Sequence, residues 1–224
     1  MPRPRSVNLH GVLEGARTSF ARGGLRRTLM SEIAVNARVS TGSLYNVAVS
    51  KEALFLACFL TPAELQAQVL PMPVPSVEEI IDRVGGRLRA AMSLPLLTEA
   101  LTRPRADDPR AELLALIAER YDATADNWQL LAAVEQTAKD IPVAFHEYFE
   151  AGRGGQVEDL AAYLRLRAES GQLRPVDPVP AARFVLEAVT WWAWHRREDQ
   201  QPLDLDDAAA RALVQDLLAS ALLA

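Results

Sequence analysis

The run Ile33-Ala34-Val35-Asn36-Ala37-Arg38-Val39-Ser40-Thr41-Gly42-Ser43-Leu44-Tyr45-Asn46-Val47 decides how this chain is read. Two short helical patterns, Leu29–Ala37 and Thr41–Val47, flank a tight turn. Met30, Ile33, Ala34 and Ala37 fall on one face of the first pattern, and Ala34 is small enough for close helix packing. Val39 can plug the turn, and Leu44 can lock the second helix against its support. Thr41, Ser43 and Asn46 then project outward with hydrogen-bonding groups. In a helix-turn-helix the first helix braces the second, whose exposed face enters a major groove about 12 Å wide. Ser50 is placed to cap a following helix, whose first amides, with Lys51, suit a phosphate.

Upstream, Val7 to about Ala21 carries Leu9, Val12, Leu13, Ala16 and Phe20 on one helical stripe, and Gly23-Gly24 offers a left-handed stop. Charge supports a separate role for this end. Residues 1–60 hold eight of the 24 basic side chains and three of the 29 acids, a net of +5, leaving −10 for the rest. A basic front on an acidic body meets a polyanion through the front alone. Prolines divide the chain in the same place, since twelve of the fourteen lie at Pro62 or later.

Beyond residue 60 helix starts are marked at Thr61-Pro62-Ala63-Glu64, Ser76-Val77-Glu78-Glu79 and Asp108-Pro109. The closely spaced prolines of Pro71-Met72-Pro73-Val74-Pro75 require a linker. Gly152-Arg153-Gly154-Gly155 lacks the lysine and spacing of a phosphate loop and is read as a helix break. An amphipathic stretch from about Gln156 to Ser170 stops at Gly171. A helix follows Pro178 to about Arg197, and a last one spans about Asp206 to Leu223. The fold expected is all-α: a helix-turn-helix domain over residues 1–60 and a larger helical ligand-binding and dimerisation domain over 61–224.

No catalytic constellation stands out, and no metal or cofactor is expected. His10, His146 and His195 are scattered without chelating partners. Cys58, the single cysteine, lies in the apolar run Ala53–Leu60 and reads as a buried thiol. That run is too short for a bilayer, which needs ~20 apolar residues, so no membrane partner and a cytoplasmic location are expected.

Phe20, Gly24-Leu25, Thr28, Glu32-Ile33-Ala34, Val39-Ser40-Thr41-Gly42-Ser43-Leu44-Tyr45 and Ser50-Lys51-Glu52-Ala53-Leu54 together resemble the N-terminal domain of TetR-family repressors. A looser likeness continues through Glu169-Ser170-Gly171-Gln172-Leu173-Arg174, Asp177-Pro178 and two final helices. The resemblance implies a homodimer that reads two half-sites of a two-fold-symmetric double-stranded DNA operator. It also implies a C-terminal pocket whose small-molecule effector changes the spacing of the two heads. By position, Thr41, Gly42, Ser43, Tyr45 and Asn46 would face DNA, while Thr28 and Lys51 would contact phosphates.

Three positions depart from the family pattern. Arg38 stands where the turn usually has glycine, so it must tolerate a positive φ or the turn must adjust; it could also gain a phosphate contact. Val47 replaces an aromatic or histidine that often touches DNA, and Ala48 replaces a common phenylalanine. A lost buried ring costs about 3–5 kcal/mol if nothing repacks. These departures leave open a second reading, a helical ligand-binding or interaction protein with weakened DNA affinity. An enzyme is a distant third.

In the body, the helix after Pro180 is apolar on nearly every side, with Phe184, Val185, Leu186, Val189, Trp191, Trp192 and Trp194. Such a helix is buried on more than one face. One face would pack on the body and another on the partner's equivalent, joined by the last helix with Leu213, Val214, Leu217, Leu218, Ala221 and Leu222. Tyr121, Trp128, Phe145, Phe149 and Trp191 are candidates to line an effector cavity, with plain core packing the competing role for each.

Overall fold

A computed structural model describes residues 8–139 and 144–224, with the side chains of 144–153 outside the description. The chain forms two compact units, the first of residues 1–90 with 129–148 and the second of 91–128 with 149–224. Among the described residues the regular structure is helical, joined by two isolated β-bridges.

The first unit begins with α1 (Leu9–Arg27), whose start is capped by the Asn8 side chain accepting from Gly11 N–H. Val12, Leu13, Ala16 and Phe20 of the expected stripe are buried. Gly15 lies on the same face because α2 (Met30–Ala37) crosses there: a Cβ at Gly15 would sit 2.4 Å from the Ala37 nitrogen. The stop expected at Gly23-Gly24 is a kink instead. Gly24 takes φ 65° and the chain resumes a helical turn to Arg27. A side chain at Gly24 would meet the Gln136 carbonyl at 2.8 Å, and the next amide, Leu25 N–H, donates to Thr137 Oγ1 at 3.0 Å.

Two short helices follow, α3 (Thr41–Tyr45) and α4 (Lys51–Phe59). Phe20 stacks edge-on against Phe55 with centroids 5.1 Å apart, and Phe59 extends the cluster. Burying each such ring is worth roughly 1.5–3 kcal/mol. Thr61 forms the expected capping box with Glu64 to start α5 (Pro62–Gln66), and a proline-rich strap then leads to α6 (Val77–Ala91).

In the second unit, α7 (Pro95–Leu101), α8 (Pro109–Ala138), α9 (Ala144–Glu169), α10 (Pro178–Ala193) and α11 (Asp207–Leu222) surround an aliphatic core. Helix α8 continues past Trp128 and contributes its last turns to the first unit. Helix α9 runs through Gly152–Gly155, so the break expected there is corrected. Glycine costs about 1 kcal/mol relative to alanine in a helix, which a long helix sustains. The stop at Gly171 holds, with φ 71° and Gln172 N–H returning to the Arg167 carbonyl. Arg167 is fully buried. It donates to both Glu112 carboxylate oxygens and to the Ala100 and Arg103 carbonyls, so it ties α9 to α8 and satisfies the end of α7.

Candidate nucleic-acid interface

Helix α2 is held against α1 by buried Ile33 and Ala34 and by the Asn36 amide donating to Ser19 Oγ. At its end Arg38 takes φ 55°, ψ 41°, and its N–H and that of Val39 return to the Val35 and Ala34 carbonyls. The turn therefore keeps its left-handed form and Arg38 bears the strain, about 1–2 kcal/mol for a residue with a Cβ. Ser40 Oγ then accepts from Ser43 N–H at 3.1 Å and starts α3. Leu44 is fully buried, which orients the rest of the helix.

Thr41, Gly42, Tyr45 and Asn46 are exposed, and Ser43 is half-buried with its hydroxyl 2.8 Å from Ser40 Oγ. Arg38 is exposed beside them. The surface thus offers a hydroxyl, an amide, a phenol and a guanidinium, a mixture that can read base edges and bind phosphates.

Two expected phosphate ligands are placed differently. Thr28 is buried and its hydroxyl donates to the Ser19 carbonyl, so its side chain serves the fold. Lys51 Nζ donates to the Arg26 and Thr28 carbonyls at 2.7 and 3.3 Å. An ammonium has three donors, so one is left for a phosphate. Val47 does not stand on the exposed surface at all. It and Ala48 are buried at 1 % and 0 % exposure, and the apolar Val-Ala pair is core.

In the second unit a cavity of about 30 Å³ is lined by Leu94, Leu97, Leu113, Ile117, Leu164 and Val189 among others, and Arg120 also lines it. That is room for one or two waters. None of the described aromatic candidates lines it. Tyr121 is core, its hydroxyl donating to the Trp192 carbonyl. Trp128 is half-buried beneath Arg197, and Trp191 is exposed. The side chains of Phe145 and Phe149 lie outside the described residues. Sequence reasoning missed Arg120, whose signal was a cation on the otherwise apolar face that carries Leu113, Leu116 and Ile117.

Helix α10 turns Ala182, Val185, Leu186 and Val189 into the core, yet Phe184 is 68 % and Trp191 40 % exposed. Helix α11 likewise buries Val214, Leu218 and Leu222 while Leu217 is 56 % exposed. Among the described residues no group of His, Cys, Asp and Glu is arranged to hold a metal, and no helix is long and apolar enough to cross a membrane.

Residues 12–58 match the family model of bacterial regulatory proteins of the tetR family, and residues 118–223 match the C-terminal domain of AefR-like transcriptional repressors. No protein of curated function matches the chain. Among solved structures, the ketosteroid transcriptional regulator KstR2 of Mycobacterium tuberculosis is similar at 20% identity and a TM-score of 0.58, covering 98% of this chain and 97% of that one. The TetR family transcriptional regulator PfmR from Thermus thermophilus is similar at 20% identity and 0.56, over 92% and 91% of the two chains. AibR, solved in complex with isovaleryl coenzyme A and operator DNA, is similar at 18% identity and 0.53, over 95% and 96%. At these identities the likeness is one of fold.

Proposed function

The chain belongs to the TetR family of bacterial transcriptional regulators, and from that premise we propose that it is a homodimeric repressor released from its operator by a small molecule. The observation that carries the reading is the surface of Thr41, Gly42, Tyr45 and Asn46, with Arg38 exposed at the turn before it, presented by a helix whose cap and buried Leu44 fix its orientation. A rigid polar helix face on a basic segment is what a major groove requires. Ser43 adds a hydroxyl at its edge, and Lys51 would hold a phosphate with its remaining donor.

Dimerisation through α10 and α11 is supported by Phe184, Trp191 and Leu217, large apolar groups on faces opposite those packed inward. An isologous contact would cover them in both protomers. The effector would enter among the aliphatic residues around Leu113, Ile117 and Val189. Because the cavity is about 30 Å³, binding must move helices apart. Helix α8 lines that cavity with its first half, and its last turn holds Leu25 of the head through Thr137.

The test is a pull-down with purified protein and fragmented genomic DNA of the source organism, followed by sequencing. A short two-fold-symmetric site near promoters is expected. Diffuse retention that salt abolishes would overturn the reading in favour of a protein with weakened DNA affinity.

A further inference from the structure

The segment that leaves the recognition helix is held by a partner far along the chain. Met72 N–H donates to the Val47 carbonyl at 2.8 Å, and Val49 N–H donates to the Met72 carbonyl at 3.0 Å. Ala48 pairs with Met72 as an isolated parallel bridge, and Met72 is 4 % exposed. Proline has no N–H. Between Pro71 and Pro73, Met72 is therefore the one residue able to donate, and the register of the bridge is set by the sequence Pro71-Met72-Pro73 itself. Beneath the strap, Ala53 and Leu56 of α4, Leu60 just after it, and Glu79 and Arg83 of α6 line a cleft of about 60 Å³ with Met72 and Pro73. The ends of the strap are joined by an ion pair, Arg83 to Glu64 of α5, at 2.8 Å.

We infer that the strap through Met72 is a positioning element for operator recognition: it fixes the exit of α3, and with it the orientation of Tyr45 and Asn46. Asn46 and Val47 are the last residues of the recognition segment, and the bridge follows directly on the five-residue helix that carries Thr41 and Gly42. Helix α3 has five residues, and so short a helix does not hold its own direction in water. Leu44 anchors it from within, Ser40 caps its start, and the strap supplies the third constraint. Alanine at 48 is part of the device, because it is fully buried beside the bridge and a larger side chain there has no room unless its surroundings, the strap among them, shift. The departure from the family's phenylalanine and the Pro-Met-Pro segment are thus two halves of one arrangement, with Met72 a positioning residue rather than a DNA contact.

The inference rests on the reading of α3 as the DNA-contacting helix, and the experiment separates the two. A duplex is first selected by the wild-type protein from a randomised pool. Met72→Pro removes the donor to the Val47 carbonyl and leaves the bond from Val49 N–H. It is expected to bind that duplex about tenfold more weakly while binding random duplex nearly as before, as the loss of one backbone hydrogen bond of modest net worth allows. Met72→Leu keeps both bonds and is expected to match wild type. Ala48→Phe leaves every donor in place but displaces the strap, so it is expected to fall with Met72→Pro and serves if that variant fails to fold. Hydrogen exchange in the wild type gives a readout without DNA: the Val49 and Met72 amides are expected to be protected. Unprotected amides, or undiminished discrimination in Ala48→Phe and Met72→Pro, would overturn the inference. A wild type that selects no sequence at all would overturn the regulator reading and positioning with it, while protected amides would still establish the bridge.

Discussion

After α1, the helices of the reading head are five to nine residues long, whereas those of the second unit's α8 to α11 run from sixteen to thirty. The short ones are held at their ends. Ser40, Ser50 and Thr61 each accept an N–H of the helix they start, and Arg38 closes the one before. The long ones are held along their faces by interchangeable aliphatic side chains. End-held helices constrain particular residue types at particular positions, because a cap is a local chemical requirement. Face-held helices constrain only size and polarity. The difference gives the head a geometry fixed residue by residue and leaves the packing of the body more tolerant of rearrangement.

The sharpest way to break that contrast is at the body's exception, Arg167. Arg167→Met takes the buried donor from the Ala100 and Arg103 carbonyls and from the Glu112 carboxylate, which keeps the Arg103 guanidinium at 3.6 Å. Breaking a buried pair from one side costs about 3–5 kcal/mol, to be read by chemical denaturation. Glu112→Leu added to it should recover most of the loss. A cost below about 1 kcal/mol would show that faces alone hold the body. In the head the comparable test is Gly15→Ala, whose methyl would overlap the Ala37 backbone. Overpacking of that kind costs about 1–3 kcal/mol. Because α2 would be pushed off α1, operator binding should fall with melting temperature. A variant that melts early yet binds normally would detach the brace from the reading helix.

The same contrast explains what could be read from the chain. Caps and stops that are chemically local were the most legible: Ser50, Thr61 and Gly171 act where their residue types place them, although Asn8 and Ser40 cap helices without having been assigned that role. Gly24 misled, because its positive φ serves a close approach to Gln136, more than a hundred residues away, and does not end the helix there. The pairing of Val47–Val49 with the strap was missed for a like reason: the strap lies beyond two intervening helices, and a hydrogen bond to backbone leaves no signature in side-chain type. Thr28 was assigned outward by family position, although its hydroxyl answers the Ser19 carbonyl. In the body, aromatic residues were the natural candidates for a cavity that aliphatic ones line.

Arg38 refines the claim that the head accepts strain to fix its turn. Arg38→Gly relieves the left-handed strain and is expected to stabilise the protein by about 1 kcal/mol, measured as a raised denaturation midpoint. If the guanidinium also meets a phosphate, the same variant binds operator more weakly, and the slope of log affinity against log salt falls by about 0.9. Greater stability with an unchanged slope would confine Arg38 to the turn. No gain in stability would mean that the lost side chain was contributing to the fold in some other way.

The smallest effect concerns Cys58, where the head resembles the body in being simply packed. Burial pushes its thiol from the ordinary 9.0 up to about 12, against a weaker opposing pull from the Arg17 guanidinium. The folded state therefore favours the protonated thiol. Stability from this source is fully present below pH 9 and is lost as pH rises through the interval toward 12. At neutral pH, Cys58→Ala should show no difference in pH dependence from wild type, and the native thiol should resist alkylation until the protein unfolds, since the thiolate is the nucleophile. Rapid labelling of the folded protein near pH 8 would mean that the Phe20–Phe55–Phe59 core opens around α4 more readily than its packing implies. The recognition helix would then rest on a looser support than the one its caps, its buried leucine and the strap describe.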